Sequence, residues 1–138
     1  MEKEFEILEH TADIGIIAYG SNINEAFVNA AKGMFSLITE LGDVEETEQR
    51  EIEIEATDPE SLLVAWLNEL IFLFDTENLL FKRFNITQLT DTRLKAAAYG
   101  EKADLSRHSI KRGIKAATYH MLSIEKNDGV KATVVFDV

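Results

Sequence analysis

An α+β domain with two helices packed on a largely antiparallel sheet is what this chain predicts, and three features predict it. Two segments repeat apolar residues at helical spacing. Seven shorter segments alternate, or run apolar at strand length. Several of these strands are joined by links too short for a parallel crossover. The order is roughly β-β-α-β-α-β-β-β-β, a two-layer arrangement. At 138 residues the chain is expected to form a single domain over 1–138.

Phe5 to Leu8 and Ile14 to Tyr19 read as the first two strands. Asn22 and Glu25 have the spacing of a helix N-cap and its reciprocal partner. Ile23, Phe27, Ala30, Met34, Phe35 and Ile38 then form one apolar stripe, and Gly42 lies near the turn beyond it. Glu51 to Ala56 alternates strictly, as a half-buried strand with an acidic outer face does. Asp58 caps a second helix and Pro59 takes its first position, where a missing N–H costs nothing. Leu63, Trp66, Leu67, Leu70 and Phe74 share a face of it. Leu62 and Leu73 widen that face, so this helix is expected to be the more buried of the two.

Strands follow over about 80–89, 92–99, 114–125 and 130–137, with Asn127-Asp128-Gly129 as a hairpin turn between the last pair. Asp104 to Arg112 reads as a short helix or an ordered loop.

Composition narrows the function. The net charge is −11, which opposes phosphate backbones and disfavours strong direct binding of RNA or DNA. It favours cations and basic protein partners. There are no cysteines, so disulfides, thiolate metal sites and cysteine nucleophiles are excluded. No segment reads as a signal peptide or a membrane span, and a cytoplasmic protein is expected.

The stretch EHTADIGI, residues 9–16, carries the first candidate chemistry. Asp13 by itself reads as a turn residue bonding its own backbone. An aspartic-protease reading fails, because Ile14 stands where an orienting hydroxyl would be and a second carboxylate is needed close by. A hard-cation site is the third reading, since such ions take several oxygen ligands. VVFDV, at the other end, offers the Asp137 carboxylate and the backbone oxygens of Val138. Asp13 could join them only if the first and last strands are neighbours; otherwise Asp137 is an exposed acid.

His10 reads as a hydrogen-bonded structural residue. His120 is in phase with Ile114, Ala116, Leu122 and Ile124, so it is expected mid-strand and facing the core. Lys115 would then lie on the opposite strand face, with Ala117 and Tyr119. The run RHSIKRGIK holds Arg107, His108, Lys111, Arg112 and Lys115; it is either a solvated segment or a docking patch for an anionic group. Asn68 and Glu69 interrupt the apolar second helix, either pointing to solvent or sharing a polar site with loops. Zinc spacings, nucleotide-binding glycine loops and the Gly-x-Ser-x-Gly elbow do not occur.

Four separated stretches together resemble one family. EHTADIGI, LLVAWLNELIFLF, GIKAATYH and VVFDV resemble the archease family in order and overall length. The resemblance implies a protein that is not itself an enzyme but activates the RtcB-type RNA ligase of tRNA splicing, by promoting its metal-dependent guanylylation and multiple turnover. It implies a divalent cation, calcium first with magnesium or manganese as alternatives, held by Asp13, Asp137 and Val138. It also links Lys115 to activity, and it leaves His10, Glu69 and His120 as candidate partner-facing residues. The last residue is valine where isoleucine is expected, a change a backbone ligand does not feel. A stand-alone hydrolase built on His10 and Asp13, or a general chaperone of RNA-modifying proteins, are the alternative functions.

Overall fold

The computed structural model describes residues 3–9 and 14–138; His10, Thr11, Ala12 and Asp13 lie outside the described residues. The elements are β1 (Phe5–Glu9), β2 (Ile14–Gly20), α1 (Ile23–Ile38), β3 (Glu48–Glu55), α2 (Pro59–Glu77), β4 (Leu79–Leu89), β5 (Arg93–Lys102), β6 (Ala116–Ala117), β7 (Ser123–Lys126) and β8 (Val130–Asp137). This is the expected α+β order, and every strand pairing is antiparallel.

The helix starts follow from their caps. The Asn22 side chain accepts the Glu25 N–H at 2.9 Å, and Glu25 reaches back to the N–H of Ser21. Asp58 accepts the Ser61 N–H at 2.7 Å, with Pro59 in the first turn. Each cap gives an orphan N–H of the first turn an acceptor. At the far end of α2, Asn78 takes the left-handed conformation (φ 58°) that reverses the chain into β4.

The strands divide into two sheets. One runs β1-β2-β8-β6, with β7 also on β8; the other runs β3-β5-β4. Helix α1 packs against β2 of the first and β4 of the second, and α2 against α1, β3 and β6. α1, not α2, is the more enclosed helix: ten of its sixteen residues are buried, against eight of nineteen. α2 leaves Phe72 56% exposed.

The core ties the helices to the second sheet. Phe35, Phe81, Phe84 and Trp66 form a cluster with edge-on contacts, the rings of Phe35 and Phe81 lying 5.7 Å apart and those of Trp66 and Phe84 5.9 Å apart. Edge-on geometry sets a positive ring edge against a negative face. The buried indole N–H of Trp66 donates to the Phe27 carbonyl at 3.0 Å, joining α2 to α1.

Two expectations change in the segment read as one strand over 114–125. It is broken into β6 and β7. Between them Thr118 places both its N–H and its hydroxyl on the Val135 carbonyl, at 3.0 and 2.8 Å, and Met121 adopts φ 56°. The chain therefore loops outward. His120, expected mid-strand and core-facing, sits exposed in this loop between Tyr119 (63% exposed) and Met121 (61%). Alternation along the sequence cannot signal such a break, because residues on either side of it keep the strand phase. The 104–112 segment forms a loop with one turn, and the 127–129 hairpin forms as expected, with Asp128 and Gly129 at positive φ.

Replacing Trp66 with Phe keeps most of the apolar volume but removes the indole N–H from the Phe27 carbonyl. The expected loss is about 1–3 kcal/mol of unfolding free energy in urea; no loss would show that this hydrogen bond does not hold the helices together.

Candidate functional site

The two stretches singled out at opposite ends of the sequence come together in the first sheet. Strand β2 pairs with β8 so that Ile14 faces Phe136 and Gly15 faces Val135. Ile14 is the residue after Asp13, and Phe136 the residue before Asp137. A methyl group on Gly15 would stand 2.4 Å from the Val134 carbonyl oxygen. The glycine of this motif is thus a packing requirement: it lets β2 and β8 approach.

On the other side of β8, Ala116 pairs with Asp137 and Ala117 with Phe136. The Lys115 N–H donates to the Asp137 carbonyl at 2.8 Å. Lys115, Asp137 and Val138 are all exposed, and Lys115 has no ion-pair partner among the described residues. Lys115, just before β6, and Asp137, at the end of β8, are thus backbone neighbours, each with an exposed side chain. Asp13 and His10 fall outside the described residues. Among the described residues, no three His, Cys, Asp or Glu side chains converge as metal ligands. The oxygens available at this end suit a hard cation better than zinc.

Asn68 does not point to solvent. Its side-chain oxygen accepts the Ala117 N–H at 2.8 Å and its amide nitrogen donates to the Ala117 carbonyl at 3.3 Å. Glu69, its neighbour on α2, is half-buried. Sequence reasoning saw the polar interruption in this helix but not its target, since nothing local says which backbone a side chain will meet.

The basic run RHSIKRGIK is mostly spent inside the molecule. Arg107 pairs with Glu101. Lys111 donates to the Ser36 carbonyl at 3.0 Å and pairs with Glu40 at 2.9 Å, which sets a cation at the C-terminus of α1. Arg112 approaches Glu9 at 3.4 Å. These bonds, with Thr39 on the Ser109 carbonyl and the Lys111 N–H on the Ile38 carbonyl, strap the loop across the end of α1. The strap ends at Lys115.

His108 anchors that strap and was missed as a core residue. It is 3% exposed. Its Nδ1 accepts the Asp104 N–H at 2.8 Å, so the ring proton lies on Nε2, which faces the Glu101 carboxylate at 3.0 Å and the Asp43 carbonyl at 3.1 Å. Burial alone pushes the Glu101 carboxyl up. The Glu45 N–H, Arg107 and His108 outweigh that, and hold it below the ordinary glutamate range.

Comparison with known proteins settles the family. The model of the archease protein family (MTH1598/TM1083) matches residues 5–138. The chain belongs to the archease family. It is 42% identical to the protein archease of Methanosarcina acetivorans, over 99% of this chain and 97% of that one. It is 44% identical to that of Sulfurisphaera tokodaii, over 99% of both. The solution structure of Methanobacterium thermoautotrophicum protein 1598 superposes with a TM-score of 0.83 at 41% identity, covering 98% of this chain and 99% of that one. The crystal structure of a Thermotoga maritima archease, described as a possible chaperone, gives 0.63 at 25% identity, covering 100% and 98%. Among the described residues, no helix is long and apolar enough to cross a membrane.

Because its folded pKa is lowered, Glu101 contributes stability that is complete above the ordinary glutamate range and is lost as pH falls through the lowered value. Glu101→Gln should therefore cost about 1–3 kcal/mol near neutrality, and the gap to the parent should close on acidification. Unfolding measured across pH tests this; a gap that is constant down to the acid transition would contradict it.

Proposed function

We propose that this archease-family chain is a protein cofactor of an RtcB-type RNA ligase in tRNA splicing. On this reading it is not itself an enzyme, acts in the cytoplasm, and promotes the ligase's metal-dependent guanylylation and multiple turnover. One observation carries the reading furthest: Ile14 pairs with Phe136, so the sequence neighbours of Asp13 and Asp137 lie side by side. That is the condition a cation site built from both stretches requires.

Asp13, Asp137 and a backbone oxygen of Val138 would hold a divalent cation, calcium first, with magnesium or manganese as alternatives. Bound there, the cation supplies a positive centre able to take further oxygen ligands. The chain's own part would be to present Asp137 at the end of β8, with Lys115 held next to it through its backbone N–H. A protein with a net charge of −11 gains little from RNA directly and docks more readily on a basic RNA-binding enzyme. A general chaperone role is the second reading, favoured by the description of the Thermotoga relative as a possible chaperone.

Multiple-turnover ligation with the cognate ligase tests the proposal. Asp13→Ala and Asp137→Ala should each abolish most of the stimulation while leaving the ligase's unstimulated rate unchanged. Full stimulation by both variants would sink it. The protein alone should turn over neither phosphoesters nor peptides, and hydrolysis by the isolated chain would point to the hydrolase alternative.

A further inference from the structure

The sheet edges differ in how far they are closed. Strands β6 and β7 have two and four residues, and Asn68 already holds the backbone of Ala117. Strand β1 has five, and Arg112 reaches Glu9 at its end. Strand β4 is longer, but its pairing with β5 shifts register twice, and Asn24 donates to the Ile86 carbonyl at 3.4 Å. Short lengths and bulges are ordinary ways of blunting an edge. Strand β3 has neither: its eight residues pair with β5 without a shift.

The register fixes which backbone groups of β3 point outward. The Ala56 N–H donates to the Thr92 carbonyl at 2.9 Å, and antiparallel partners alternate between bonded and non-bonded pairs. Arg50, Ile52 and Ile54 therefore bond β5. Gln49, Glu51, Glu53 and Glu55 turn their N–H and C=O groups away from it, and all four are exposed. Among the described residues, one group of this set meets a hydrogen-bond partner: the Gln49 carbonyl accepts the Arg50 guanidinium at 2.9 Å.

The flanking side chains set the chemistry of what fits this edge. On the outer face stand Glu51, Glu53 and Glu55. Arg93 pairs with Glu55 at 2.6 Å and Lys95 approaches Glu53 at 3.8 Å, in exposed pairs that contribute little. Glu51 faces Ala97. On the other face, toward α2, stand Ile52, buried, and Ile54, half-buried. An added strand would thus meet carboxylates on one face and aliphatic side chains on the other. A second copy of β3 would set glutamate against glutamate, which is destabilising. The acids that bar self-pairing attract lysine and arginine.

We propose that the β3 edge is a docking surface for an extended segment of a basic protein partner, one that alternates basic and apolar residues and adds to the β3-β5-β4 sheet as a fourth strand. The inference deepens the docking part of the reading above and makes no use of its cation site.

The test uses the intact protein and a short blocked peptide that alternates lysine and valine, with amide hydrogen exchange followed by NMR. In the free protein the Glu51, Glu53 and Glu55 amides should exchange fast, and those of Ile52 and Ile54 slowly. At millimolar peptide the three outward amides should slow about tenfold, the size of effect one net hydrogen bond gives. A peptide alternating glutamate and valine should change nothing. Glu53→Pro removes the central outward N–H and leaves the bonds to β5 in place, so it should weaken the lysine peptide about tenfold. Glu53→Gln keeps that N–H and loses the charge, and should weaken it about two- to fivefold. No slowing at Glu51, Glu53 and Glu55 with the lysine peptide overturns the proposal. So does equal slowing with the glutamate peptide. Slowing of the same amides with rising protein concentration alone also overturns it, by giving the edge to a second copy. If Glu53→Pro does not fold, Glu53→Gln decides, and unchanged affinity there overturns the account. Failure here leaves the ligation result for Asp13→Ala and Asp137→Ala intact, and the reverse holds.

Discussion

The antiparallel pairing of β2 with β8 is the constraint on which the candidate site depends. Its register sets Ile14 opposite Phe136 and Gly20 opposite Val130. A slip of β2 by one residue would turn Ile16 and Ala18 out of the core, where both are fully buried. The register is therefore enforced by hydrophobic burial along the whole strand, and the placement of Asp137 follows from it. Gly15 adds a local condition, since the close approach to Val134 leaves no room for a side chain. Site geometry is thus secured by packing that lies away from the polar groups themselves.

The polar network of the strap is a second layer built on that frame. An acidic chain is expected to display its few cations. Here Arg107, Lys111 and Arg112 are directed at Glu101, Glu40 and Glu9, and the end of α1 receives Lys111. The exposed pairs of Lys111 and Arg112 each contribute little. Their combined effect is directional: they lead the loop from β5 to β6. The Glu101–His108 contact differs because it is buried, and each of its partners would be costly to leave alone. Within the strap, the cation left exposed and without an ion partner among the described residues is Lys115, whose N–H bonds the Asp137 carbonyl.

Much of the fold was legible because its signals are local. Asn22 and Asp58 name their helix starts through side-chain geometry, and Asn127-Asp128-Gly129 names a turn through backbone conformations. The resemblance to a known family was legible because four separated motifs agreed in order and spacing. What was hidden depends on contacts far apart in sequence. His120 kept the strand phase and so looked buried, while Thr118 and Met121 carried it into an exposed loop. The greater enclosure of α1 depends on how closely β2 and β4 pack against it, which its stripe alone cannot announce. Asn68 and His108 are polar residues whose partners, Ala117 and Glu101 with Asp43, are set only by the tertiary fold. A sparse signal for both existed: a polar residue inside an apolar helix, and a histidine amid paired charges.

The central claim is that EHTADIGI and VVFDV together make one cation site at the end of the β2–β8 pairing. Paramagnetic broadening of backbone amides by substoichiometric manganese tests it most directly. The account predicts that Ile14, Lys115, Ala116 and Phe136 broaden first, while Glu51 to Glu55 on the acidic face of β3 remain sharp. Broadening centred on β3, or spread evenly over the acidic surface, would contradict it.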